Sequence, residues 1–152
     1  MSQTWYKERN NISIGENKAT EFYNQKNGKL LRYGFDLLKT SINATDFTSI
    51  PKIIRNTPDF IFIQNGISFM IEAKCGKDCL KLKLHDLESY RHWANLGNFV
   101  FYIYSTTKRE GTQISIAKII ELVNNNKYPT QRFNSKSESE HYLIPMEDIF
   151  NG

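Results

Sequence analysis

Cysteine is nearly missing from this chain: Cys75 and Cys79 are the only two in 152 residues. Spaced C-x3-C with no companion Cys or His cluster, they lack the partners a zinc site needs and read as free thiols of a reducing compartment. Histidine is scarce too, with three residues, and His85 and His92 stand seven apart rather than the four that would let them share an ion on one helix face. Surface or capping roles are expected for them, and Glu88 with His92 reads as a plain helix pair. No apolar run is long enough to span a bilayer, and residues 1–10, which include Lys7, Glu8 and Arg9, carry no apolar leader segment. An intracellular, cytoplasmic protein with no membrane association is the expectation.

The excess of positive charge is modest, 20 Lys and Arg against 16 Asp and Glu for a formal +4. Lys and Arg can replace the counterions condensed on a phosphate backbone, so the balance leans toward a polyanionic partner without requiring one. With 39% hydrophobic and 24% charged residues the chain has the composition of a folded domain. Its length suits one domain over residues 1–152, and no internal repeat or shift of composition divides it.

Helix formers fill residues 13–26 before Asn27-Gly28, with Glu16, Ala19 and Tyr23 on one face, Phe22 beside them, and Glu21 on the solvated side. Residues 30–40 read as a strand and 41–57 as a long polar connection containing Pro51, a candidate substrate-contacting loop. Two strand-like runs follow, 59–64 and 67–74, joined by Asn65-Gly66, the strongest short-range hairpin signal. A helix is expected over 84–96, a buried strand over 98–105, a short strand over 113–116 and a helix over 117–125. A polar tract over 126–140 precedes an apolar tail, 141–150, expected to dock as a strand or as a turn plus helix. This order predicts an α/β fold, a mixed central β-sheet flanked by helices on both faces, with the strand at 98 parallel to its neighbour.

A two-residue turn at Asn65-Gly66 sets the register and places Asp59 opposite Glu72, with Cβ atoms roughly 5 Å apart. Lys74, two residues on, points to the same face. Two carboxylates side by side on an otherwise apolar strand repel each other, and a divalent cation is the natural compensation. Mg²⁺ takes one or two carboxylates, waters and a substrate phosphate, and the Ala73 carbonyl could add one more oxygen. Taken alone, Glu-x-Lys is ordinary on an exposed strand; the convergence of three charged groups on one face is what singles it out. Lys77, Lys81 and Lys83, close behind the strand, and Arg55, just ahead of Asp59, are candidate phosphate contacts or simply a solvated basic loop.

Thr57-Pro58-Asp59-Phe60, Asn65-Gly66 and Ile71-Glu72-Ala73-Lys74 together resemble the Pro-Asp…Glu-x-Lys signature of the PD-(D/E)xK nuclease superfamily. The pattern is similar to small phage endonuclease I-type enzymes and archaeal Holliday-junction resolvases. Gly15-Glu16-x-x-Ala19 resembles the helix that opens some small members. The likeness runs from about residue 15 to 105, while 116–152 matches no member. It implies a restriction-endonuclease-like core over about 13–125 with a C-terminal extension over about 126–152. It also implies Asp59, Glu72 and Glu16 as Mg²⁺ or Mn²⁺ ligands, and Lys74 as the residue that orients or activates the attacking water. The activity implied is hydrolysis of phosphodiester bonds in phage, repair or recombination intermediates, with DNA ahead of RNA as substrate. A phage or prokaryotic source is in keeping with it. The alternatives are an RNA endonuclease of the same fold and a catalytically silent module that binds nucleic acid or protein. A homodimer is compatible with cutting two strands, though nothing in the sequence marks an interface.

Overall fold

Both turn residues of the central hairpin adopt positive φ, 52° at Asn65 and 75° at Gly66, a conformation that glycine accepts without steric cost. The computed structural model describes residues 3–34, 44–132 and 140–151. The turn joins β2 (Phe60–Gln64) to β3 (Ile67–Gly76) in the expected register, Gln64 facing Ile67 and Phe60 facing Ile71. On its other edge β3 pairs in parallel with β5 (Asn98–Ser105), Glu72 beside Phe101 and Lys74 beside Ile103. Adding β1 (Lys29–Arg32) and β6 (Glu110–Ser115) gives a five-stranded mixed sheet of order β1-β2-β3-β5-β6.

Helices cover both faces of this sheet, as the element order predicts. On one face α1 (Gln3–Asn24) lays Ala19 and Tyr23, both essentially inaccessible, onto Phe60, Phe62, Ile71, Ala73 and Tyr102. The alternate residues of the same strands point the other way. There Phe99, Phe101 and Ile103 meet Tyr90 of α4 (Asp86–Leu96) and Ile116 and Ile119 of α5 (Ile116–Asn125). Each such large apolar side chain contributes about 1.5–3 kcal/mol when fully buried. Ser115 caps α5, its Oγ accepting from the Lys118 N–H at 3.1 Å. Ser115→Ala should therefore lower stability by about 1 kcal/mol, a fall of roughly 2–4 °C in Tm by calorimetry.

Several expectations are corrected. The first helix begins at Gln3 rather than near residue 13, and the strand expected over 30–40 is Lys29–Arg32, residues 35–40 lying outside those described. The polar connection expected over 41–57 holds α2 (Ala44–Ser49) and α3 (Lys52–Arg55). Its hydroxyls serve the helices instead of breaking them: Thr48 Oγ1 donates to the Thr45 carbonyl at 2.8 Å and Ser49 Oγ to that of Asp46 at 2.5 Å.

The basic loop expected after Lys74 is β4 (Cys79–Lys83), which alternates Leu80 and Leu82 inward with Lys81 and Lys83 outward. β4 pairs antiparallel with β8 (Glu140–Pro145), which in turn pairs with β7 (Thr130–Arg132), forming a second, three-stranded sheet. The tail ends in α6 (Met146–Asn151), so strand and helix both form over 141–150. Ile144, Met146 and Ile149 join the same apolar cluster as Tyr90 and Phe101, which ties the expected extension into the core.

Candidate active site

The β2–β3 ladder stops where Pro58 enters the pairing. The next hydrogen-bonded pair would be Pro58 with Ala73, and proline has no N–H to offer the Ala73 carbonyl. The Ala73 N–H instead donates to Asp59 Oδ2 at 2.8 Å, a side chain standing in for the missing strand. The Asp59 backbone carbonyl, facing the opposite edge, accepts from the N–H groups of Tyr33 and Gly34 at 2.9 and 3.2 Å. Asp59 is thus gripped from both sides at the end of its strand, next to Glu72.

Glu72 and Lys74 lie on the α4 face of β3. Glu72 is buried, and its Oε1 accepts from the Tyr90 hydroxyl at 3.2 Å and lies 3.2 Å from Lys74 Nζ. The Lys74 ammonium also stands 5.4 Å above the centre of the Tyr90 ring. The other oxygen, Glu72 Oε2, is buried with no hydrogen-bond partner among the described residues.

Burial pushes the Asp59 carboxyl well above the usual carboxylate range, and the Glu72 charge pushes it further, with the Ala73 N–H and Lys74 pulling back. Burial raises Glu72 as well, against the pull of Lys74 and of the Tyr90 hydrogen bond. Burial on its own would lower Lys74, but Tyr90 and the two carboxylates outweigh it and hold the ammonium well above its ordinary value. A pair of acids that resist ionising beside a fixed cation is an arrangement met at functional sites.

Glu16 arrives from the other face. Gly15 lets α1 press against the end of β3: a Cβ there would lie 3.2 Å from both the Lys74 carbonyl carbon and Cys75 Cβ. Glu16 is near enough to add to the rise at Asp59, but its Oε2 is held by Arg32 at 2.9 Å. The described residues contain no group of three or more His, Cys, Asp or Glu placed to hold a metal ion. Asp59, Glu72 and Lys74 converge as the register requires, with Glu16 at their margin.

Lys77, in the turn after β3, and Lys81 and Lys83, on the outer face of β4, are exposed, and Arg55 is half-buried at the end of α3. Tyr90 is a site residue that the sequence does not single out, although a buried tyrosine hydroxyl ordinarily needs a polar partner, which is the available signal. Arg32 carried no such signal. Asp86 was given no role; it accepts from Asn56 Nδ2 at 3.1 Å and adds to the rise at Glu72.

No described helix is long and apolar enough to cross a membrane. The chain matches no protein-family model and no curated protein. Among solved structures it is similar to D212, a nuclease from a fusselovirus, with a TM-score of 0.53 and 14% identity over 97% of this chain and 87% of that one. At that level of identity the two share a fold, the mixed sheet with helices on both faces.

Proposed function

We propose that the chain is a metal-dependent nuclease of the PD-(D/E)xK kind, an endonuclease that hydrolyses DNA phosphodiesters in phage, repair or recombination intermediates. The observation that carries this reading is the buried Oε2 of Glu72, unpartnered among the described residues, beside a second, strongly perturbed carboxylate at Asp59. An orphaned carboxylate oxygen is costly unless something cationic completes it. The fold shared with a viral nuclease adds support.

The donor set fits Mg²⁺ or Mn²⁺. Glu72 Oε2, the Asp59 carboxylate and the Ala73 carbonyl are hard oxygens, and Mg²⁺ needs only one or two protein carboxylates because it keeps waters and substrate oxygens as its other ligands. The Ala73 carbonyl qualifies because a residue's C=O and N–H leave a strand on the same side, which here is the Asp59 side that Pro58 left unpaired. Glu16 would join once released from Arg32. The bound ion supplies a lowered pKa for water and charge neutralisation at the phosphate.

The protein's own groups do the positioning. Asp59, fixed by the Ala73 N–H, and Glu72, fixed by Tyr90, cannot swing apart. Lys74 is cationic throughout the neutral range and presents an ammonium to the charge that grows on the phosphoryl oxygens. Lys77, Lys81, Lys83 and Arg55 are assigned to the phosphate backbone, outside the reacting centre.

Tyr90 acts through Glu72 as a positioning residue. Tyr90→Phe should lower kcat about tenfold, equivalent to about 1.4 kcal/mol, and leave KM near its wild-type value. A matching rise in KM would point to substrate contact instead.

The reading is tested by incubating the protein with supercoiled plasmid, single-stranded DNA, RNA and a four-way junction, in Mg²⁺, Mn²⁺ or EDTA, beside Asp59→Ala. Cleavage of DNA in either metal but not in EDTA, and none by the variant, is expected. Wild type and variant leaving every substrate equally intact would contradict it, and RNA cut in preference to DNA would reassign the substrate.

A further inference from the structure

A cleft of about 320 Å³ opens between α3 and α4, lined by Lys52, Ile53, His85, Glu88, Ser89 and His92. None of these residues belongs to the Asp59–Glu72–Lys74 group. Asn56 fastens its walls together, its Nδ2 donating to Asp86 Oδ1 at 3.1 Å and lying 3.2 Å from Ser89 Oγ. The cleft is joined to the acidic pair by two short routes. Asn56 lies three residues before Asp59, and Ser89 directly precedes Tyr90, which holds Glu72.

The chemistry of the lining discriminates among ligands. Within the lining the Lys52 charge is balanced by that of Glu88, so the cleft has no net charge to attract a phosphate. Burial first, then Lys52 and Lys83, hold His85 below its ordinary value against the opposing pull of Asp86, leaving at neutral pH an imidazole with one donor and one acceptor nitrogen. Lys52 adds a donor, Glu88 an acceptor, Ser89 a hydroxyl, and Ile53 an apolar wall. A flat heterocycle with donors and acceptors along its edge matches this set better than an anion does. The volume is that of about ten waters, enough for one nucleobase.

We propose that the α3–α4 cleft receives a single unpaired nucleobase of the strand being cut, selecting nucleic acid with an unstacked nucleotide beside the scissile phosphate over continuous duplex. The inference rests on the nuclease reading and names its substrate class. Extruding a base from a stack is costly and costs least where the base is already unpaired, so a base-accepting cleft converts directly into preference for single-stranded, mismatched or branched sites.

Two readouts separate this inference from the reading beneath it. The chain has three histidines, and His141, buried in β8, is an internal reference for the other two. Titrating the protein with adenosine, guanosine, cytidine and thymidine should shift the imidazole resonances of His85 and His92 with at least one nucleoside and leave His141 in place. Inorganic phosphate at equal concentration should shift neither, and a Glu88→Gln/His92→Ala double variant should lose the response at His85. In cleavage, wild type should favour an oligonucleotide with one unpaired base beside the cut over its fully paired counterpart by about tenfold or more, the scale of roughly one well-made contact. The double variant should lose most of that ratio.

If no nucleoside moves His85 or His92, if phosphate moves them equally, or if the cleavage ratio survives in the variant, the cleft assignment is overturned while cleavage itself stands. If the nucleosides shift both histidines yet no substrate is cut, the cleft is supported as a base site and the nuclease reading falls.

Discussion

Asp59→Asn is expected to abolish cleavage while raising the melting temperature of the protein in EDTA. The activity loss should reach about 10³-fold or more, because a ligand to the ion that neutralises the phosphate contributes several kcal/mol at the transition state. The stability gain has a separate origin. Ionising Asp59 leaves a desolvated charge beside Glu72, and both effects act against the folded state. Asparagine removes the charge, and its side-chain oxygen can still accept from the Ala73 N–H. A gain of at least about 1 kcal/mol, or roughly 2–4 °C in Tm, is the expected size.

The pH dependence of that gain follows from linkage. The folded-state pKa of Asp59 is raised, so the native protein retains a proton that the unfolded chain gives up. This contribution to stability is fully present below the ordinary carboxylate value of about 4 and is lost as pH rises through the folded value. Wild type in EDTA should therefore fall progressively below Asp59→Asn between mild acid and pH 8. With Mg²⁺ present the order reverses: wild type gains stability from the ion and the variant gains little. A variant that melts lower than wild type in EDTA at pH 8 would show that Asp59 is an ordinary structural carboxylate.

Lys74→Gln should reduce kcat by about 10²–10³-fold, the usual cost of removing one preorganised group that stabilises transition-state charge. Its effect on stability should have the opposite sign to that of Asp59→Asn. Lys74 Nζ, 3.2 Å from Glu72 Oε1, is the cation facing a buried carboxylate, and removing it leaves Glu72, among the described residues, with the Tyr90 hydroxyl alone. The lysine side chain is about a quarter exposed, at 26%, so water screens part of the loss. A cost of about 1–3 kcal/mol and a fall of roughly 5 °C in Tm are expected. Because burial raises Glu72, mild acid should restore much of that loss by protonating the stranded carboxylate. Melting curves of the two variants in EDTA at pH 8, moving in opposite directions around wild type, separate the two roles. Parallel shifts would mean that the three residues do not form one electrostatic unit.

The parts of this site that were legible in the sequence are those set by local geometry. A two-residue Asn-Gly turn leaves one register, and that register alone brings Asp59 to Glu72 and turns Lys74 the same way. The role of Pro58 follows from the same pairing, since the ladder must end where a donor is missing. Contacts set by tertiary packing were not legible. Arg32 and Glu16 meet because β1 and α1 lie near the same end of β3, and nothing in either segment announces the pair.

β4 went unread for a different reason. Lys77, Lys81 and Lys83 suggested a charged loop, and that impression masked the alternation of Leu80 and Leu82 with Lys81 and Lys83, a period-two signal whose partner strand lies about sixty residues later at β8. The short helix α2 escaped because its Thr and Ser content is that of turns, and the hydrogen bonds returning to its own carbonyls appear only once the helix exists; α3, the single turn Lys52–Arg55 behind Pro51, is too short to show a helical period.

The most direct measurement is a crystal of the protein soaked in Mn²⁺ and read by anomalous scattering. The account predicts one strong peak within bonding distance of Glu72 Oε2 and the Asp59 carboxylate, lost in Asp59→Asn. Full manganese occupancy elsewhere on the molecule with no density between those two carboxylates would contradict it.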